Sequence, residues 1–153
     1  MPSTLLKKML DENKIKYVSI THSIAFKAVD IAKSVNIHSR ELAKTVILDV
    51  DGKFAMAVVP ANYKVNLDIL RQTLNTDNIK IADEPAFTPH FNDCEAGAMP
   101  PFGGLYGMDV YVAESLSEDE NIAFNAGSHL EVIQMAYKDY EALAKPRFIF
   151  LDN

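Results

Sequence analysis

A chain of 153 residues, 48% hydrophobic and 24% charged, has the size and balance of one soluble globular domain with a single sizeable core. Its formal net charge of -6 argues against a protein that coats nucleic acid along the backbone, but leaves room for a local basic patch gripping one end of an RNA. One cysteine excludes an intrachain disulfide and fits a reducing, cytoplasmic setting; no signal-peptide pattern is visible, and no run is long enough to span a bilayer.

With no internal repeat, low-complexity tract or linker, residues 1–153 are expected to form one domain. The first element is expected to be a helix over residues 4–13, with Ser3 or Thr4 as N-cap and Leu5, Leu6 and Met9 as its apolar stripe. Residues 17–21 alternate as a short strand, and 25–35 take helical spacing through Ala28, Ile31, Ala32 and Val35. The clearest hairpin follows: a strand over 43–50, the turn Asp51-Gly52, and a strand over 54–59. Residues 66–74 read as a helix with Leu67, Leu70 and Leu74 on one face. Strands are expected over 109–113, 122–125 and 129–135, a helix over 137–144 closing before Pro146, and a last strand over 148–151. Strands joined by both a hairpin and helical crossovers imply an α+β domain, a mixed sheet with helices packed outside it.

Between the third helix and the later strands lies the segment Cys94-Glu95-Ala96-Gly97-Ala98-Met99-Pro100-Pro101-Phe102-Gly103-Gly104-Leu105-Tyr106-Gly107, which has neither a helical nor a strand period. Glycines let main chain approach a ligand and adopt positive φ, while paired prolines stiffen the loop and remove two N–H donors. It reads either as a binding wall made of main chain or as a tight connection between two elements. Lys44 is a second feature. Alternation puts it on one face with Val46, Leu48 and Val50, while Ala43, Thr45 and Ile47 point the other way, so a lysine begins an apolar face. It either snorkels to water at the strand end or stands as a cation at the rim of a pocket, where partial desolvation strengthens its pull on a phosphate or a polarised carbonyl.

His129 stands in Asn125-Ala126-Gly127-Ser128-His129, where glycine breaks a strand and the ring can face a cleft; packed or surface histidine is the alternative. His22, after the first strand, is a secondary candidate, whereas His38 in a polar loop and His90 after Pro89 have little to recommend them. No histidines, alone or with the cysteine, show metal-ligand spacing, so no metal is expected. Cys94 is flanked by Asp93 and Glu95, which disfavour a thiolate and make it a bystander. There is no Gly-x-Ser-x-Gly elbow and no Walker or Rossmann glycine pattern. Glu118-Asp119-Glu120 looks like a solvated loop, and Asp83-Glu84 like the opening turn of a helix.

Three stretches taken together point to a family. They are Glu41-Leu42-Ala43-Lys44-Thr45-Val46-Ile47-Leu48 with Asp51-Gly52 and Ala57-Val58-Val59-Pro60-Ala61; Glu95-Ala96-Gly97-Ala98-Met99-Pro100-Pro101-Phe102-Gly103; and Phe124-Asn125-Ala126-Gly127-Ser128-His129. In this order and spacing the chain resembles the YbaK family of aminoacyl-tRNA deacylases, which includes the editing domain inserted in bacterial prolyl-tRNA synthetases. The resemblance covers nearly the whole chain. It implies a mixed, partly closed, barrel-like β-sheet flanked by helices. The activity it implies is hydrolysis of the ester joining a wrong amino acid to the terminal adenosine of a tRNA, without metal, cofactor or covalent intermediate.

By the same resemblance, Lys44 matches the lysine that holds the 3′ end or the substrate carbonyl. Gly97 opens the Gly-x-x-x-Pro loop, ending at Pro101, whose backbone contacts substrate. His129 is similar to the histidine of alanine-editing members, so a small amino acid such as alanine on a proline tRNA is the expected substrate. Thr45, Phe102, Gly103, Gly127 and Ser128 are the accompanying substrate-binding positions, with His22 and Phe26. The run Ser23-Ile24-Ala25-Phe26-Lys27 departs from the Pro- and Thr-containing run often found there, in a segment that helps line the amino-acid pocket, which leaves the substrate's identity open. The implied partners are the tRNA acceptor end and a synthetase, with no membrane, and Lys27, Lys33 and Arg40 are candidates for a small RNA-binding patch. The rival reading is a non-catalytic module that binds a nucleotide or an aminoacyl-adenosine-like ligand; it keeps the glycine loop but does not need Lys44 and His129 together.

Overall fold

The structure, a computed structural model, describes residues 4–21, 42–61, 63–95 and 97–149. The expected helix over 25–35, the candidates His22 and Phe26, and the cations Lys27, Lys33 and Arg40 lie outside the described residues.

Helix α1 (Thr4–Glu12) seats Leu6 and Leu10, one turn apart, fully in the core with Met9 beside them. Leu5, expected in the stripe, is instead 44% exposed: at 100° per residue the face centred on Leu6, Met9 and Leu10 turns Leu5 outward. Strand β1 (Tyr17–Thr21) follows. The hairpin β2 (Ala43–Val50) and β3 (Lys53–Pro60) pairs in register from Ala43↔Pro60 to Val50↔Lys53. Its two turn residues, Asp51 and Gly52, both have positive φ (52° and 87°), the backbone that a two-residue turn needs to match the strand twist.

Helix α2 (Leu67–Leu74) is capped by Asn66, whose side chain accepts from the N–H groups of Asp68 and Ile69. Next come the short strand β4 (Ile79–Ile81), a helical turn α3 (Glu84–Phe87), strand β5 (Asp109–Ala113), the turn α4 (Glu114–Ser117), β6 (Asn121–Asn125), β7 (Glu131–Ala136), α5 (Tyr137–Ala144) and β8 (Arg147–Ile149). The expected α+β fold is therefore present, with β4 and α4 added and β7 beginning two residues later than the expected 129–135.

The strands form two sheets. One is antiparallel, in the order β1-β7-β6; the other is mixed, in the order β4-β2-β3-β5-β8, with β3, β5 and β8 parallel. The sheets do not close into a barrel; a single parallel bridge, Leu42↔Ala123, joins them among the described residues. β3 is the central strand, and it is buried on both faces. Met56 and Val58 enter the larger core with α1, β6 and β7, while Ala55, Ala57 and Val59 face a second core with Leu70 of α2, Tyr111 and Ile149.

This division fixes the directions along β2. Ala43 and Ile47 belong to the larger core, and Leu48 to the second, where Val46 and Val50 also pack. Lys44 and Thr45 consequently leave the strand on opposite faces. Because the Leu42↔Ala123 bridge is parallel, β2 advances from Leu42 to Lys44 as β6 advances from Ala123 to Asn125, the strand that runs into the His129 turn.

Candidate active site

The site is assembled where two loops are clasped, residues 93–99 and 125–131. The Glu95 N–H donates to the Gly127 carbonyl at 2.7 Å, the Gly127 N–H to the Ala98 carbonyl at 2.9 Å, and the Ala98 N–H to the Glu95 carbonyl at 3.0 Å. The His129 N–H closes the set by donating to the Glu95 carboxylate at 2.6 Å. Within the second loop, the Ala126 N–H donates to Glu131 O at 3.1 Å and the Leu130 N–H to Ser128 Oγ at 3.1 Å, with Ser128 buried beneath. These bonds, and positive φ at Gly127 (91°), hold His129 and Leu130 in a turn and delay β7 to Glu131.

Gly97 sits against the histidine. Its φ is 83°, and a Cβ added there would lie 3.3 Å from Cε1 and 3.5 Å from Nε2 of His129. Glycine is thus favoured by the backbone conformation, and a Cβ would press on the imidazole packed against its open face. The Gly97 N–H donates to the Met99 thioether sulfur at 3.2 Å, a weak acceptor that a charged oxygen would readily outcompete.

The sequence gives Glu95 no role beyond that of an acidic neighbour of Cys94 and the first residue of the second family stretch. In the fold its carboxyl is held below the usual carboxylate range, first by the His129 N–H and further by Ser128 and the His129 ring, against a smaller opposing effect of burial. A depressed folded pKa means that this clasp adds stability at neutral pH, and that the contribution is lost as pH falls below the ordinary value of 4.5 and through the folded one.

Of the expected site residues, the structure brings Gly97, Gly127, Ser128 and His129 together. Lys44 and Thr45 are half-buried on β2 beside the strand leading to that turn, and Lys44 makes no ion pair among the described residues. Pro101, Phe102 and Gly103 lie below the loop, in the core. The Pro101 carbonyl accepts from the Tyr140 hydroxyl at 2.9 Å, and the Phe102 ring meets Phe124 and Tyr140 edge-on at 5.6 and 5.1 Å. The Met108 N–H donates to the Gly103 carbonyl at 2.8 Å. These contacts, main-chain at Pro101 and Gly103 and aromatic at Phe102, anchor the loop that carries Gly97.

Cys94 belongs to a fastening at the loop's entry. Asp93 Oδ1 accepts from the Tyr106 hydroxyl at 3.0 Å and from the Cys94 thiol at 3.2 Å, with thiol and phenol 3.2 Å apart. A serine hydroxyl can make the same bonds, so Cys94→Ser is expected to change the unfolding free energy by less than about 1 kcal/mol, read from urea denaturation. A larger loss would mean that the thiol is needed for the fastening in a way a hydroxyl cannot replace. Among the described residues no group of three or more His, Cys, Asp or Glu side chains is gathered as for a metal, and no helix is long and apolar enough to cross a membrane.

A family model for the aminoacyl-tRNA editing domain matches residues 22–143, well over half of the chain. The chain belongs to the aminoacyl-tRNA editing domain family. Among solved structures, a proposed trans-editing enzyme for prolyl tRNA synthetase superposes on this editing domain with a TM-score of 0.82 at 15% identity, over 97% of this chain and 95% of that one. A scaffold protein used for computational epitope grafting gives 0.81 at 18% identity over 97% and 95%. A proposed signal transduction protein from Marinobacter aquaeolei VT8 gives 0.76 at 18% identity over 96% of the editing domain but 30% of its own length, so the same fold also occurs as one part of a longer chain. Identities this low speak for the fold alone. No curated protein gives a significant match.

Proposed function

We propose that this editing domain is an aminoacyl-tRNA deacylase acting in trans, hydrolysing the ester between a small, wrongly attached amino acid such as alanine and the terminal adenosine of a proline tRNA. The observation that carries the reading is the Gly97–His129 pair held by the two clasped loops. An aminoacyl ester is already activated, so the site needs a placed water and a preorganised donor for the developing oxyanion more than a strong nucleophile. In this reading the Gly97 N–H exchanges its thioether for the oxyanion, and His129 orients the water or bounds a small pocket. Lys44 supplies a fixed cation toward the terminal phosphate or the carbonyl.

Water adds to the carbonyl carbon, the bond to the ribose oxygen breaks, and the proton lost by water ends on that oxygen. The products are a free amino acid and uncharged tRNA. The proline tRNA context draws support from the neighbour described as a proposed trans-editing enzyme for prolyl tRNA synthetase. The test is a panel of mischarged tRNAs presented to the purified protein, with amino-acid release followed over the spontaneous rate. Release confined to small side chains is the expected result. A methylene is worth only about 1–3 kcal/mol in a pocket, so exclusion of larger residues should be steric and sharper than discrimination among the smallest. Tight binding of tRNA without release of any amino acid would leave the protein a binding module.

A further inference from the structure

We infer that Glu95 is a positioning residue for this site, its carboxylate fixing the His129 turn so that the imidazole stands over Gly97. The inference rests on the deacylase reading for its catalytic consequence, and on geometry alone for its structural one. Glu95 engages the second loop through both main chain and side chain. Its main-chain N–H donates to the Gly127 carbonyl at 2.7 Å, and its side chain accepts the His129 N–H at 2.6 Å.

Only the second of these depends on residue type. Any residue but proline at 95 would keep the main-chain bond, whereas the reach back to the amide of 129 needs a side chain with an acceptor at the length of Glu or Gln. An acceptor bearing a full charge makes the shorter and stronger bond. The residue so held is the one whose ring packs against Gly97, and Gly97 lies only two positions beyond Glu95 in the chain. With the main chains already clasped through Gly127, the carboxylate therefore fixes where the His129 end of the turn, and the ring it carries, stands relative to the loop that would bind the oxyanion. The bonds from Ala126 to Glu131 and from Leu130 to Ser128 are internal to the turn, and the Gly127–Ala98 main-chain bond ties the loops at its base; the Glu95 carboxylate, which Ser128 also engages, is what reaches the His129 amide itself.

The experiment compares wild type with Glu95→Ala and Glu95→Gln, reading both alanyl-tRNA hydrolysis and the backbone amide resonance of His129 by proton–nitrogen NMR. In wild type that amide should be shifted downfield and should move upfield as acid protonates Glu95, with a midpoint below the ordinary 4.5. Glu95→Ala should shift it upfield at neutral pH and lower kcat about tenfold or more with KM little changed, since small misplacements of a site residue cost this much. Glu95→Gln, which keeps an acceptor of the right length, should restore kcat to within about threefold while abolishing the acid titration of the amide.

An unmoved His129 amide in folded Glu95→Ala would overturn the hydrogen bond. A shifted amide with full hydrolytic activity would overturn the positioning role. Absence of hydrolysis by wild type itself would contradict the deacylase reading, and the amide titration would still decide whether Glu95 holds the turn.

Discussion

Lys44→Ala is expected to lower kcat for deacylation by about 10²–10³-fold, the scale on which removal of a preorganised charge or donor acts on an ester-hydrolysing site. The fold should survive the change. The pairing of Lys44 with Val59 is made by main chain, and the side chain supports no ion pair among the described residues. Its neighbours on the same face, Val46 and Leu48, are apolar and take nothing from the ammonium group. The unfolding free energy from urea denaturation should therefore stay within about 0.5 kcal/mol of wild type, as for substitutions away from packed or paired groups. A folded Lys44→Ala protein with full activity would remove the lysine from the site and leave it a strand-end residue reaching for water.

The largest expected effect on stability belongs to Gly103→Ala. A Cβ at this position would stand 2.3 Å from the Met108 carbonyl oxygen and 3.0 Å from its carbonyl carbon, with Val110 Cγ2 at 2.7 Å. Two of these atoms are backbone, fixed by the Met108 N–H bond to the Gly103 carbonyl and by the entry into β5, so no rotamer change relieves the contact. The cost should be about 3 kcal/mol, at the upper end of ordinary overpacking. Gly104→Ala is the built-in control, since nothing lies within 4 Å of its added Cβ and its conformation is ordinary. Equal urea midpoints for the two variants would mean that the loop gives way at Gly103 and is not anchored there.

What was legible in the sequence was local. Asp51-Gly52 between two alternating runs fixed the hairpin because both turn residues need positive φ, and Leu67, Leu70 and Leu74 marked a helix by their spacing, which the structure starts one residue later because Asn66 caps it. Three-residue β4 carried too little pattern to show, and exists because its pairing with β2, including Val50↔Ile79, covers that strand's outer edge. Leu10, not Leu5, joins Leu6 in the core because the adjacent pair Leu5-Leu6 allows two helix faces and only packing selects one.

The glycine loop was recognised as shaped, but its residues divide in a way composition does not reveal. Gly97 meets His129, whereas Phe102, 2% exposed, and Gly103 serve the core. Glu95 shows the same limit from the other side. Its neighbours in sequence suggested an effect on Cys94, while its partner in space is an amide 34 residues away. Contacts at that separation follow from the pairing of whole sheets and leave no periodic trace in the chain.

The most direct measurement of the deacylase account is amino-acid release from proline tRNA charged with alanine and, separately, with proline, under excess purified wild-type protein. Alanine should be released at a rate that rises with protein concentration, far above spontaneous hydrolysis, while the prolyl ester decays at its spontaneous rate. Spontaneous decay of both esters in the presence of saturating protein would contradict it.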